Sequence, residues 1–267
     1  MIHGAFSDLD EQQIAPESLD MVFPTCDPSY NKKLTRDLAV FSAKFLRENG
    51  FLVMFTKPAA GDVAYTVKKY AKNLKLLNVF QVYYSDGPWL NFDDNNPKLN
   101  SPFAVFLIFW KGGTLSYEKL DFNFDEQYSI NAMPADEDRP LITAEECNKY
   151  VIEDIIKLLN LEYAITDLGV GTGIVCDPTC EFGDVGEEVV RCGFDFLGIE
   201  EDAAKFKIAM RTMQDCYKDI QESQEVEEQV AEVEEEFDGK DSEEKQESNE
   251  QSEPYDQDVE ESEKALS

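Results

Sequence analysis

"TDLGVGTGIVCDPTCEFGDVG", residues 166–186, decides the fold, because it offers two candidate ligand loops in succession. The first is Gly169-Val170-Gly171-Thr172-Gly173. The second runs from Asp177 through Pro178, Thr179, Cys180, Glu181 and Phe182 to Gly183. A loop that cradles a cofactor needs an apolar strand before it and an unbroken helix after it. Were the first stretch that loop, its helix would have to pass through "IVCDPTCEFGD". That segment carries β-branched residues, Pro178 and Gly183, all poor in a helix. With "GIVCD" as the strand, Pro178 ends it and Gly183 supplies the open turn. Asp184 can then cap a helix over "VGEEVVRC" whose early Glu residues suit an N-terminus. Gly193 closes that helix and "FDFLGIE" is the next strand. The residues favour this second register, and Gly169–Gly173 becomes the turn that feeds the strand. A lone Gly-x-Gly-x-Gly is a weak signal in any case. The strand over 194–200 ends in Glu200, where a carboxylate can accept both hydroxyls of a ribose.

Outward from this unit the chain alternates strands and helices. Apolar runs predict strands at "LDMVFPT" (19–25), "FLVMFT" (51–56), "VFQVYYS" (79–85) and "PFAVFLIFWK" (102–111). Helical spacing covers 32–49, with Gly50 as its cap, then 62–77 and 144–160, and a final helix starts near Ala203. A polar loop fills 86–102, and 112–140 is irregular and acidic. His3 reads as a polar residue near the first strand. Continuous apolar strands in this order predict an α/β fold, a mostly parallel sheet covered on both faces.

Charge divides the chain. The 267 residues carry a net charge of −32. From Tyr217 onward 4 Lys face 21 Asp/Glu, a net of −17. Low hydrophobicity with like charge cannot offset chain entropy, so residues 223–267 are expected to form a disordered acidic tail. That leaves an α/β domain over 1–222, with halves 1–112 and 141–222 around a short insert at 113–140. The body is acidic too, which argues against a protein that coats nucleic acid generally. Its cations are nonetheless clustered, ten of them between Lys32 and Lys75 against Asp37, Glu48 and Asp62. Among these Lys32, Lys33, Arg36, Lys68, Lys69 and Lys72 are candidates to follow the phosphates of DNA. Six Cys and one His show no zinc spacing, and Cys176 and Cys180 read as reduced, buried thiols of a cytosolic-type protein. "FAVFLIFW" (103–110) is too short to span a bilayer, and no signal peptide is evident, so membrane and secreted classes are not expected.

"VFPTCDPSYN" (22–31) ends the first strand. It puts a carboxylate, a proline carbonyl and an aromatic ring at the rim of the sheet, where α/β sites lie. Asp27-Pro28-Ser29-Tyr30 resembles the Asp-Pro-Pro-Tyr motif of the amino-group DNA methyltransferases, the adenine-N6 and cytosine-N4 enzymes. "CDPTCEFGDVG" followed by Gly198-Ile199-Glu200 is similar to their cofactor motif in content and spacing. The catalytic motif comes first, as in the permuted beta group, and the resemblance covers about residues 1–215.

The resemblance implies a Rossmann-like methyltransferase fold with a seven-stranded sheet, S-adenosylmethionine as cofactor, DNA as partner and no metal. It assigns Asp27 and the Pro28 carbonyl as acceptors for the hydrogens of the target amine, with Ser29 beside them, and Tyr30 as the ring that stacks on the flipped base. Glu200 would hold the cofactor ribose, and the backbone around Asp177, Pro178, Thr179 and Gly183 its methionine end. Cys26 and Cys180 do not follow a Pro as a cytosine-C5 nucleophile does. Two positions depart from the family: Ser29 replaces the second Pro, and Glu181 stands where the loop has its first Gly. The alternatives are an inactive methyltransferase-like protein that contacts partners through its acidic tail, and a methyltransferase acting on RNA or protein.

Overall fold

A computed structural model describes residues 1–28, 31–56, 60–83, 90–93, 96–99, 103–112, 152–153, 155–156 and 173–247. Ser29, Tyr30, the first glycine loop up to 172, the insert 113–140 and most of the helix expected at 144–160 lie outside these described residues. In chain order the elements are β1 (Ile2–His3), β2 (Leu19–Val22), α1 (Lys32–Phe45), β3 (Leu46–Thr56), α2 (Ala60–Tyr70) and β4 (Leu74–Tyr83). There follow β5 (Leu90–Asp93), β6 (Asn96–Leu99), β7 (Phe103–Lys111), β8 (Ile174–Asp177), α3 (Asp184–Arg191), β9 (Asp195–Glu200) and α4 (Ala203–Glu247).

Single-residue alternation builds the core. Phe51, Val53 and Phe55 of β3 join Met21, Phe23, Phe106, Ile108 and Val175 on one face of the sheet, under Val185 and Val189 of α3 and the helical Ile152, Ile155 and Ile156. Leu52 and Met54 join Val22, Leu107 and Phe109 on the other face, under Leu38, Phe41 and Phe45 of α1 and Val63 and Val67 of α2. Each large side chain buried this way contributes about 1.5–3 kcal/mol, so neither face can be left uncovered.

Seven strands form the sheet in the order β1-β9-β8-β2-β3-β7-β4. Every pairing from β1 to β3 is parallel, and β7 runs antiparallel to both of its neighbours. The mostly parallel sheet with helices on both faces is as expected. At the end of the sheet away from the loops, Asp20 accepts from the Ile174 N–H at 2.7 Å and pairs with Arg47, which anchors the start of β8.

Several boundaries differ from expectation, each for a local reason. Two residues at the very start, Ile2 and His3, pair with Ile199 and Glu200, and the His3 ring lies 5.1 Å from that of Phe206. Helix α1 stops at Phe45, and β3 pairs at Leu19↔Leu46 and again only at Met21↔Phe51. The residues between form a bulge, with Asn49 left-handed at φ 67°. Gly50 is therefore no helix cap; it sits where a Cβ would come 3.0 Å from the Asp20 carbonyl. Helix α2 ends at Tyr70 rather than 77, because Leu74 onward pairs with β7. The polar stretch 86–102 contains the two-stranded antiparallel sheet β5-β6.

The chain divides into two units, Met1–Tyr217 and Lys218–Ser267. In the first, α4 buries Ala209, Met213 and Cys216. In the second, the helix continues as far as Glu247, through the segment expected to be disordered. Glu, Gln, Lys and Ala are strong helix formers, and pairs such as Lys218–Glu222 at 3.3 Å add to their preference. Among the described residues no helix is long and apolar enough to cross a membrane.

Candidate active site at the carboxyl ends of β2, β8 and β9

The second register is the one observed. β8 ends at Asp177, the turn covers Pro178–Gly183, and α3 follows at once. Gly183 is its N-cap, at φ 90° and pressed against α4, where a Cβ would lie 3.3 Å from Ala209 Cα. Asp184 is the first helical residue and favours the helix by its charge, rather than capping it as expected. Gly193 closes the helix at φ 83°. Because β9, β8 and β2 are parallel neighbours, the loops after them meet along one edge.

Asp177 ties two of these loops together. It is fully buried and accepts from Thr25 N at 3.2 Å, from the Thr25 hydroxyl, and from Thr179 N at 2.8 Å. Thr179 in turn accepts from Cys26 N at 3.3 Å through its Oγ1. Burial pushes the Asp177 carboxyl up to about 6, against the hydrogen bonds that hold it down. Its side chain is thus a brace between Asp27's loop and the turn. Nothing in the sequence singles out Thr25 or Cys26 as site residues, although Thr25 lies two residues before Asp27.

Glu200, at the end of β9 as expected, is buried, 7 % exposed. It accepts from Glu181 N at 2.9 Å and from Asp202 N at 2.8 Å, one bond to each oxygen. Each oxygen keeps a second lone pair for a ligand hydroxyl. Four N–H groups of the turn are engaged inside the protein, those of Thr179, Cys180, Glu181 and Gly183.

Glu181 occupies the position of the missing glycine and keeps a glycine-like backbone, at φ 44°. Lys205 of α4 pairs with its carboxylate at 2.9 Å and lies 5.5 Å from the Phe182 ring. Lys205 carries no signal in the sequence, since it reaches the turn only through folding.

Asp27 is part-exposed beyond the end of β2, and Pro28 is buried beside it. The Pro28 carbonyl accepts from Asn31 N at 3.0 Å and from Thr35 Oγ1 at 3.1 Å, which occupies both lone pairs. The Thr35 hydroxyl has a second acceptor at equal distance, Asn31 O at 3.1 Å. Its one proton can move there and release the Pro28 oxygen. Burial, with Asp177, Glu181 and Asp27 adding charge repulsion, pushes the Cys26 thiol up to about 12 against a Thr179 hydrogen bond. Burial also raises Cys180. Both are therefore thiols at neutral pH and poor nucleophiles.

Of the six cations expected along a phosphate backbone, Lys32, Lys33, Arg36 and Lys69 line one cleft between α1 and α2. Lys68 and Lys72 are exposed but do not line it.

No protein-family model and no curated protein matches the sequence. Solved structures do. The chain is similar to M1.HpyAVI in complex with SAM, at 20% identity and TM-score 0.55, over 79% of this chain and 97% of that one. It is similar to TTHA0409 from Thermus thermophilus, complexed with S-adenosyl-L-methionine, at 13% identity and TM-score 0.55, over 80% and 92%. It is also similar to the PvuII DNA methyltransferase (cytosine-N4-specific), at 12% identity and TM-score 0.54, over 81% and 90%. The fold of this chain is the fold of these proteins.

Proposed function

We propose that this protein transfers a methyl group from S-adenosylmethionine to the exocyclic amine of adenine (N6), or of cytosine (N4), in DNA. The observation that carries the reading is the brace: Asp177 fixes Thr25, two residues before a part-exposed Asp27, to the turn that leads to Glu200. A catalytic carboxylate and a ribose-binding carboxylate are thereby held on one edge of the sheet. The fold shared with two structures solved with S-adenosylmethionine supports the cofactor.

On this reading Glu200 accepts the ribose hydroxyls, and the turn from Asp177 through Pro178 and Thr179 to Gly183 shapes the methionine end. The bound cofactor supplies an electrophilic methyl group. Asp27 accepts a hydrogen bond from the target amine and draws its lone pair out of the ring, an interaction that strengthens as positive charge develops on nitrogen. The Pro28 carbonyl accepts the second hydrogen once Thr35 donates to Asn31 instead. Tyr30 stacks on the extruded base, with Ser29 allowing the backbone between them to adjust. We assign 1–112 as the catalytic half, 141–222 as the cofactor half, Lys32, Lys33, Arg36, Lys68, Lys69 and Lys72 as DNA contacts, the acidic segment from 223 as a contact for a protein partner, and the setting as intracellular.

The test is calorimetry with S-adenosylmethionine, followed by transfer of labelled methyl to unmodified DNA and, separately, to RNA. Binding with label in DNA supports the reading. Binding without label in either makes the chain a methyltransferase fold used for interaction, and label in RNA alone changes the substrate.

A further inference from the structure

Helix α1 starts five residues after Asp27 with two lysines, Lys32 and Lys33, and no acidic residue in its first turn. Cations at a helix N-terminus work against the macrodipole. They weaken the helix they stand on, so folding does not account for them. Arg36 follows one turn on, its guanidinium paired with Asp37 at 2.7 Å, and Lys69 lines the same cleft from α2. Between the two helices lies a cleft of about 340 Å³ lined by these four cations, with Asp62 its one carboxylate among the described residues. Two aromatic rings complete the lining. Tyr65 is 68 % exposed and Tyr70 44 % exposed, and Lys69 Nζ lies 5.1 Å from the Tyr70 ring centroid. Exposed rings forgo the burial that normally places a tyrosine.

Flat faces beside a line of positive charge suit one kind of ligand. A duplex offers phosphates to the lysines but keeps its bases stacked inside, out of reach of the tyrosines. A single strand offers both, and base–aromatic stacking is tolerant of sequence. We propose that this cleft binds a single-stranded stretch of nucleic acid, with its phosphates on Lys32, Lys33, Arg36 and Lys69 and unstacked bases on Tyr65 and Tyr70. The inference deepens the proposed function and rests on it for one point, that the strand held here leads to Asp27. A base extruded for methylation has unstacked neighbours, and the cleft holds them beside the loop that receives it.

The experiment uses the full chain without cofactor and a fluorescein-labelled oligothymidylate of about ten nucleotides, read by anisotropy against a duplex of equal length. The single strand is expected to bind more tightly. Tyr65→Ala and Tyr70→Ala, both at exposed positions, should each weaken it by about ten-fold, and Tyr65→Phe should not. Lys32→Glu with Lys33→Glu should weaken it further and flatten its salt dependence. Equal affinity for duplex, wild-type affinity in the tyrosine variants, or displacement by an acidic peptide that is indifferent to the tyrosines would overturn the cleft as a single-strand site. Tyrosine-dependent binding in a protein that takes up no S-adenosylmethionine would sink the methyltransferase reading and keep the cleft. Normal methyl transfer with an unchanged KM in the double tyrosine variant would do the reverse.

Discussion

The loop after β8 and the loop after β2 meet at one edge of the sheet and are built in opposite ways. At the first, the two carboxylates that hold the turn in place, Asp177 at the end of β8 and Glu200 at the end of β9, are buried: Asp177 is fully enclosed and Glu200 is 7 % exposed. Their oxygens accept four backbone N–H groups between them, those of Thr25, Thr179, Glu181 and Asp202. In the second, Asp27 is part-exposed at the end of a segment pinned from behind by Thr25 and Cys26. A carboxylate enclosed by protein donors shapes the backbone around it. A carboxylate held on a braced loop and reached by solvent is placed to meet a substrate. On the proposed reading the two loops divide the work of construction and chemistry, and each side can be broken by itself.

The largest effect is expected on the open side. Asp27→Ala should lower methyl transfer by about 10²-fold or more while cofactor affinity and melting temperature stay near wild type. A variant with full activity would leave the open loop without a chemical role. One that melts far lower would show that Asp27 is also structural.

On the closed side the largest effect is on stability. The folded-state pKa of Asp177 is raised to about 6 by burial, so the native protein holds its proton more tightly than the unfolded chain. The stability this contributes is fully present below the unfolded pKa near 4 and is lost as pH rises through about 6. Asp177→Asn removes the titration and keeps an acceptor for Thr25 and Thr179. The stability of wild type relative to this variant should therefore fall by about 2 kcal/mol between pH 4 and pH 7, measured by denaturant unfolding across that range. A flat difference would mean that Asp177 is no more shielded than a surface carboxylate.

Glu200 tests whether a closed carboxylate can serve a ligand as well. Glu200→Gln keeps one acceptor for the two N–H groups and removes the charge. Cofactor affinity should drop by about 1.5–3 kcal/mol, the loss expected for a charged acceptor of two hydroxyls. Glu200→Ala should add a loss of stability of about 1–3 kcal/mol from the N–H groups left unpaired. Lower stability with unaltered affinity by calorimetry would make Glu200 a brace like Asp177 and nothing more.

What the sequence makes legible follows the same division. The register of β8 can be read because Pro178 and Gly183 exclude a helix through 174–184 and because strand alternation is local. Asp27 and Glu200 can be read as strand ends, since an apolar run followed by a carboxylate is visible in one dimension. The braces cannot be read that way. Thr25 meets Asp177 across 152 positions and Lys205 meets Glu181 across 24, pairings that exist only after β2 lies beside β8 and α4 lies beside the turn. Gly50 passes for a cap in the sequence for the same reason. Its need for space comes from the Asp20 carbonyl of a neighbouring strand. The cleft is half legible: its lysines form a run in sequence, whereas the exposure of Tyr65 and Tyr70 depends on how α2 turns its other face to the sheet.

The smallest expected effect concerns the residue that least suits its place. Glu181 is held at φ 44°, a backbone region that costs a non-glycine residue about 1 kcal/mol or more. Two contacts hold it there, its N–H on Glu200 and its carboxylate on Lys205. The first survives substitution by glycine, because it is made by the backbone. The second is a half-exposed ion pair, 42% and 38% exposed on its two sides, and such pairs contribute only about 0–1 kcal/mol. Relief of strain and loss of the pair therefore nearly cancel, and Glu181→Gly should change stability by less than about 1 kcal/mol. Its effect on the ligand should be clearer. Removing a carboxylate from the turn frees the Lys205 ammonium and takes away a repulsion toward the carboxylate of a methionine group. Cofactor affinity should rise by a few fold, about 1 kcal/mol, and most at low salt, where exposed charges are least screened. If affinity falls instead, Glu181 is itself a ligand contact, and the closed loop is adapted to a cofactor end that carries positive charge.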